Sequence, residues 1–99
     1  MRHPIVLSEA ARQDIGRAAG WYLARAERLA REFLVALGDF LEDLESFPRR
    51  HPVSHLDVRR GRLRRFPYMV LYVLRRDRVH VIGCIHLHRD PRLWRARRD

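Results

Sequence analysis

The chain has no lysine. All 21 of its basic residues are arginine, so every side-chain cation except protonated histidine is a planar fork suited to carboxylates and phosphates. One cysteine, Cys84, among 99 residues excludes an internal disulfide framework and fits a reducing compartment. Met1-Arg2-His3-Pro4 leads into only three apolar residues, Ile5-Val6-Leu7, too few for the apolar stretch of a signal peptide. No apolar run approaches a membrane span. The expectation is a cytoplasmic protein with no membrane partner. A glycine-rich phosphate loop, a Ser/His/Asp order and paired carboxylates are missing as well, so ordinary hydrolase and nucleotide-binding chemistry has no support.

What is present describes a folded chain. A hydrophobic share of 46% is ordinary for a globular protein, and the length predicts one domain over residues 1–99. The charge is lopsided. Residues 1–47 carry six Arg and eight Asp/Glu, net −2, whereas residues 48–99 carry fifteen Arg and four acidic residues, net +11. A basic half-chain suits nucleic acid or an acidic protein partner.

Periodicity divides the chain into elements. Pro4 to Leu7 predicts a short strand, and Ser8 followed by Glu9 predicts a helix N-terminus. Ala11, Ile15, Ala18, Ala19, Tyr22 and Ala26 form one apolar stripe. Ala26, Ala30, Phe33, Leu37, Phe40, Leu44 and Phe47 recur at steps of four and three, a heptad seam stopped by Pro48. A break near Ala24–Glu27 folds these stripes into a helical hairpin, with Phe33, Leu37, Phe40 and Leu44 holding it to a sheet. Residues 48–57 read as loop. Val58 to Arg65, basic throughout with Gly61 in the middle, reads as an outer strand. Phe66 to Leu74 is apolar on both faces and therefore central. Arg75-Arg76-Asp77-Arg78 turns it into a last strand, Val79 to Leu87. The architecture is α+β: an N-terminal strand, then an antiparallel helical hairpin packed on a small antiparallel β-sheet.

Two constellations carry possible chemistry. Cys84, His86 and His88 alternate along one strand face, a comb that binds zinc only if a further ligand such as His80 or His55 joins. Cys84 is more simply a small core side chain, and neither a metal nor a cofactor is expected. His86, His88 and Arg89, near Arg65 if the last strands pair, are the residue types of a metal-free RNase: a base, cations for the phosphorane and an acid. The same residues also make a plain strand end, with Pro91 as the stop.

The stretch Arg64-Arg65-Phe66-Pro67-Tyr68-Met69-Val70-Leu71-Tyr72, followed by Val79 to Leu87 and His88-Arg89-Asp90-Pro91, resembles the core of the RelE/ParE toxin superfamily. With Phe47-Pro48 at the end of the second helix, the resemblance covers nearly the whole chain. It implies the toxin half of a type II toxin–antitoxin pair, with a cognate antitoxin as partner. RelE-like members cut mRNA on the ribosome; ParE-like members poison DNA gyrase and are not nucleases. The nuclease branch usually has arginine where this chain has Met69, and a thioether cannot stabilise a phosphorane. The end His86-x-x-Arg89-Asp90 looks like ParE. The resemblance therefore implies a gyrase-binding toxin rather than an enzyme, with Arg89, Arg92, Trp94, Arg95 and Arg97 contacting the target. On this reading the antitoxin covers an open apolar sheet face and the arginines beside it, through Arg62, Arg64, Arg65, Tyr68 and Tyr72. The alternative is a ribosome-dependent mRNase acting through Arg65, His86, His88 and Arg89.

Overall fold

Residues 2–98 are described in the computed structural model. The elements run β1 (Ile5–Leu7), α1 (Glu9–Leu23), α2 (Glu27–Ser46), β2 (Val53–His55), β3 (Val58–Arg62), β4 (Tyr68–Arg75), β5 (Arg78–His86) and a short α3 (Arg92–Arg95) that runs into a 3-10 turn, Ala96–Arg98. Ser8 caps α1 as expected, its Oγ accepting from the Ala11 amide at 3.0 Å. The helical hairpin breaks at residues 24–26 with neither glycine nor proline. There the Tyr22 carbonyl accepts from both Arg25 and Ala26 amides at 2.9 Å, and Ala26 then turns extended to begin α2.

The five strands lie in the order β1-β5-β4-β3-β2, with β1 parallel to β5 and the other pairs antiparallel. The α+β arrangement holds, with two differences from the sequence reading. Residues 53–55 of the expected loop form β2, so β3 is not the outer strand. The N-terminal strand joins the sheet in parallel, which makes the sheet mixed. β4 is central and buried on both faces, as its composition requires.

The helices cover one face. Tyr22, Phe33, Phe66 and Tyr68 form an aromatic cluster there with ring centroids 5.1–6.1 Å apart, and Leu37, Leu44, Val70 and Tyr72 extend it. The heptad seam ends before Phe47, which is 53% exposed beneath the Arg50 guanidinium. A bulge between Leu71 and Tyr72 against β5 resets the alternation, so Ile82 turns to the far face while Val81 and Cys84 stay on the helix side.

The far face was expected to be open. Instead Met69, Leu71, Val73, Ile82 and Ile85 form a second core with Val58 and Trp94, and Trp94 from α3 is 1% exposed. The chain covers that face itself, because α3 folds back over it.

Gly61 is fixed by close approach. A Cβ there would lie 2.5 Å from Phe40 Cζ and 2.7 Å from His51 Nδ1, and the two rings stack with centroids 4.9 Å apart. Gly61→Ala should lower stability by about 1–3 kcal/mol through overpacking, read as a lower urea midpoint. A midpoint equal to the parent's would mean that the ring pair moves aside freely.

Candidate functional site

Two places combine arginine with exposed apolar or aromatic surface. The first is the end of the sheet where β5 runs into the C-terminal segment. His86 pairs with Tyr68 across the strands, their rings 5.4 Å apart, and the His86 and His88 rings stand 5.2 Å apart. The Arg89 amide returns to the His86 carbonyl at 3.0 Å, and the Arg89 charge acts on the Tyr68 hydroxyl. Burial raises the Tyr68 pKa above its ordinary value, and Arg89 opposes that rise. Tyr68, His86, His88 and Arg89 are therefore neighbours. Arg65 is not one of the described contacts of that group: its guanidinium lies 3.8 Å from Glu32 on α2.

Beyond Arg89 the expected contact residues divide. Asp90 accepts three hydrogen bonds from Arg92 at 2.7–2.9 Å, which lower its carboxyl below the ordinary range and close a turn. Arg92 and Arg95 face solvent. Trp94 and Arg97 do not belong with them, which corrects the sequence reading. Trp94 is a core residue of the far face, and Arg97 forms an ion pair with the buried Asp14. A tryptophan in a basic tail resembles an interface anchor in sequence; only the fold shows the sheet beneath it.

Cys84 lies in the helix-side core, 1% exposed. Burial pushes its thiol up to about 12, with the nearby Asp14 charge adding to it. No group of three or more His, Cys, Asp or Glu is placed to hold a metal among the described residues.

The second place is a groove of about 710 Å³ between α2 and the segment joining β3 to β4. Val35, Ala36, Phe40 and Phe66 give it an apolar floor, while Arg62, Arg64 and Arg65 stand on one wall. Glu32, Asp39 and Asp43 line it with Arg28, Arg31 and Arg50, so arginine outnumbers carboxylate two to one. This gathers three of the five residues assigned to antitoxin contact. Tyr72 is not among them: it is fully buried and its hydroxyl donates to the Pro48 carbonyl at 2.8 Å. Tyr68 belongs to the aromatic cluster and the His86 end. Sequence reasoning missed Val35, which is 62% exposed. Its signal was a β-branched apolar residue lying off the heptad seam of α2. His51, also lining the groove, stacks on Phe40, and its pKa is lowered chiefly by burial.

No helix among the described residues is long and apolar enough to cross a membrane. The family model for the ParE toxin of the type II toxin–antitoxin system parDE matches residues 5–91. No curated protein matches the chain by sequence at a significant level. Among solved structures it is similar to a chain of the chromosomal ParDE TA system from P. aeruginosa, with a TM-score of 0.75. That likeness covers 86% of this chain and 96% of the other at 12% identity, and it is a likeness of fold.

Proposed function

The chain belongs to the ParE toxin family of type II toxin–antitoxin systems, and from that premise we propose that it acts by binding DNA gyrase in the cytoplasm. It would do so as a single toxin domain over residues 1–99, needing no cofactor. The observation that carries this reading is Met69. Where the nuclease branch has a phosphate-stabilising arginine, this chain has a thioether 3% exposed, packed in the same core as Trp94. No cation can replace it there without unpacking the far face. Action then depends on a surface, and Arg89, Arg92 and Arg95 are its exposed cations; arginine is a frequent interface hot spot.

A cognate antitoxin neutralises the toxin on this reading, with an acidic amphipathic segment in the groove beside α2. Its apolar side fits Val35, Ala36 and Phe66, and its carboxylates meet Arg62, Arg64 and Arg65. Segments of this kind are commonly disordered until bound.

Purified protein is expected to inhibit gyrase supercoiling. Reversing Arg89 and Arg95 to glutamate should weaken inhibition by about tenfold or more, whereas Arg62→Glu with Arg64→Glu should weaken antitoxin binding and leave inhibition intact. Supercoiling untouched by the parent protein at any concentration would end the gyrase reading. A second reading, a ribosome-dependent mRNA endoribonuclease, is favoured by the meeting of Tyr68, His86, His88 and Arg89 at one sheet end. It requires mRNA cleavage on ribosomes that is lost in His86→Ala or His88→Ala.

A further inference from the structure

The edge of β5 is closed by two side chains from opposite ends of the sequence. β1 pairs with β5 only as far as Leu7 and Val81, and the Ser8 amide takes the Val81 carbonyl. Beyond that point the Cys84 amide donates to Asp14 Oδ2 at 3.0 Å, and Arg97 Nη1 donates to the Ile82 carbonyl at 3.3 Å. The two side chains also meet each other, Arg97 Nη1 to Asp14 Oδ2 at 2.5 Å. Asp14 is the buried charged residue of the fold among the described residues, its side chain 2% exposed. A carboxylate so placed needs a cation beside it. Arg17 reaches its other oxygen at 2.7 Å from a side chain mostly in solvent, which leaves Arg97 as the inner partner.

Two further observations converge on this pair. Gly83 lies at the bulge, where a Cβ would stand 3.0 Å from Arg97 Nη1 and 3.3 Å from Asp14 Oδ2. The bare position leaves the passage in which they meet. The backbone of the C-terminal segment is tied locally among the described residues. The backbone amides of Leu93, Trp94 and Arg95 bond to Asp90 and Pro91 within the segment itself. Trp94 is held by packing, and its buried indole N–H has no partner among the described residues.

We infer that Asp14 is the positioning residue of the C-terminal segment: through Arg97 it fixes residues 92–97 on the sheet and sets how Arg92 and Arg95 are displayed. Apolar burial of Trp94 is non-directional and tolerates sliding or rotation of a one-turn helix. A charge-assisted pair of fixed geometry does not. Asp14 supplies the register that Trp94 cannot. The consequence for target contact rests on the proposed function; the latch is read out separately.

In a Trp21→Phe background Trp94 is the only tryptophan and reports on the segment. Asp14→Asn keeps an acceptor for the Cys84 amide and removes the charge; Arg97→Gln removes the guanidinium. Either should raise the open fraction of the segment by about tenfold or more, the loss expected for one charge-assisted hydrogen bond. Acrylamide quenching and red-shifted Trp94 emission read it, with the far-ultraviolet circular dichroism of the parent. Gly83→Ala, which crowds the pair and changes no charge, should move both signals the same way. Arg97→Gln lies at the segment's own end and carries the test if Asp14→Asn does not fold. Quenching unchanged in Arg97→Gln overturns the inference. Gyrase inhibition is measured on the same samples. Trp94 released with inhibition lost supports both readings; Trp94 released with inhibition intact supports the latch and overturns target contact by the segment.

Discussion

Replacing Phe33 by alanine should cost about 3–5 kcal/mol of stability, a large part of the 5–15 kcal/mol typical of a small domain. Phe33 is fully buried and touches Tyr22, Phe66 and Tyr68, the residues through which both helices grip β4 and its approach. The cavity cannot close easily, since its walls are rings from α1 and from the stretch leading into β4. Phe40, one turn pair further along the seam, is only partly buried and stacks on His51, so Phe40→Ala should cost less. Urea unfolding of the two variants tests the ranking. Equal midpoints, or a Phe33→Ala midpoint close to the parent's, would show that the aromatic cluster does not hold the hairpin down.

Trp94→Ala should be comparably severe, again about 3–5 kcal/mol, because the indole fills the far-face core with Met69, Leu71, Val73 and Ile85. Trp94→Phe should be much milder. It forfeits some volume but removes a buried N–H that has no acceptor among the described residues, a group whose desolvation costs about 1–3 kcal/mol. Thermal melting of both variants checks this. A phenylalanine variant as unstable as the alanine variant would mean that the indole nitrogen finds a partner in solution. Deleting residues 92–99 is consequently a poor test of target binding, since it strips the cover from a core at the same time. Substitution of the exposed Arg92 and Arg95 separates surface from stability.

The helices were readable because their burial obeys a local period: Ala30, Phe33, Leu37 and Leu44 recur at spacings that only a helix brings to one side. β4 was readable because seven apolar or aromatic side chains on two faces leave no solvent side. β2 was not, since Val53 and Ser54 are exposed and nothing alternates. The parallel partnership of β1 and β5 joins residues far apart in sequence, and no local pattern encodes that choice. Among the site residues, Arg62, Arg64 and Arg65 were readable as exposed cations because the run Val58 to Arg65 is too basic to be buried. Arg97 was expected at the target surface, and its ion pair is with Asp14, a residue too far away in sequence for any local pattern to reveal. One signal of a buried partner was present. Asp14 lies three residues after Ala11 and four before Ala18, a lone carboxylate on the apolar stripe of α1.

The pairing of β5, the last long element, with β1, the first, has a consequence for synthesis. β1 and the hairpin leave the ribosome long before β5, and at about 5–20 residues per second the gap from Leu7 to Arg78 is roughly 4–15 s. Through that interval Phe33, Leu37 and Leu44 have no sheet to cover them, and the nascent hairpin is an amphipathic surface open to chaperones. Asp14, too, lacks its inner cation until Arg97 has been made. Completion of this fold therefore waits for β5 and the segment behind it, and whatever the toxin does begins only then.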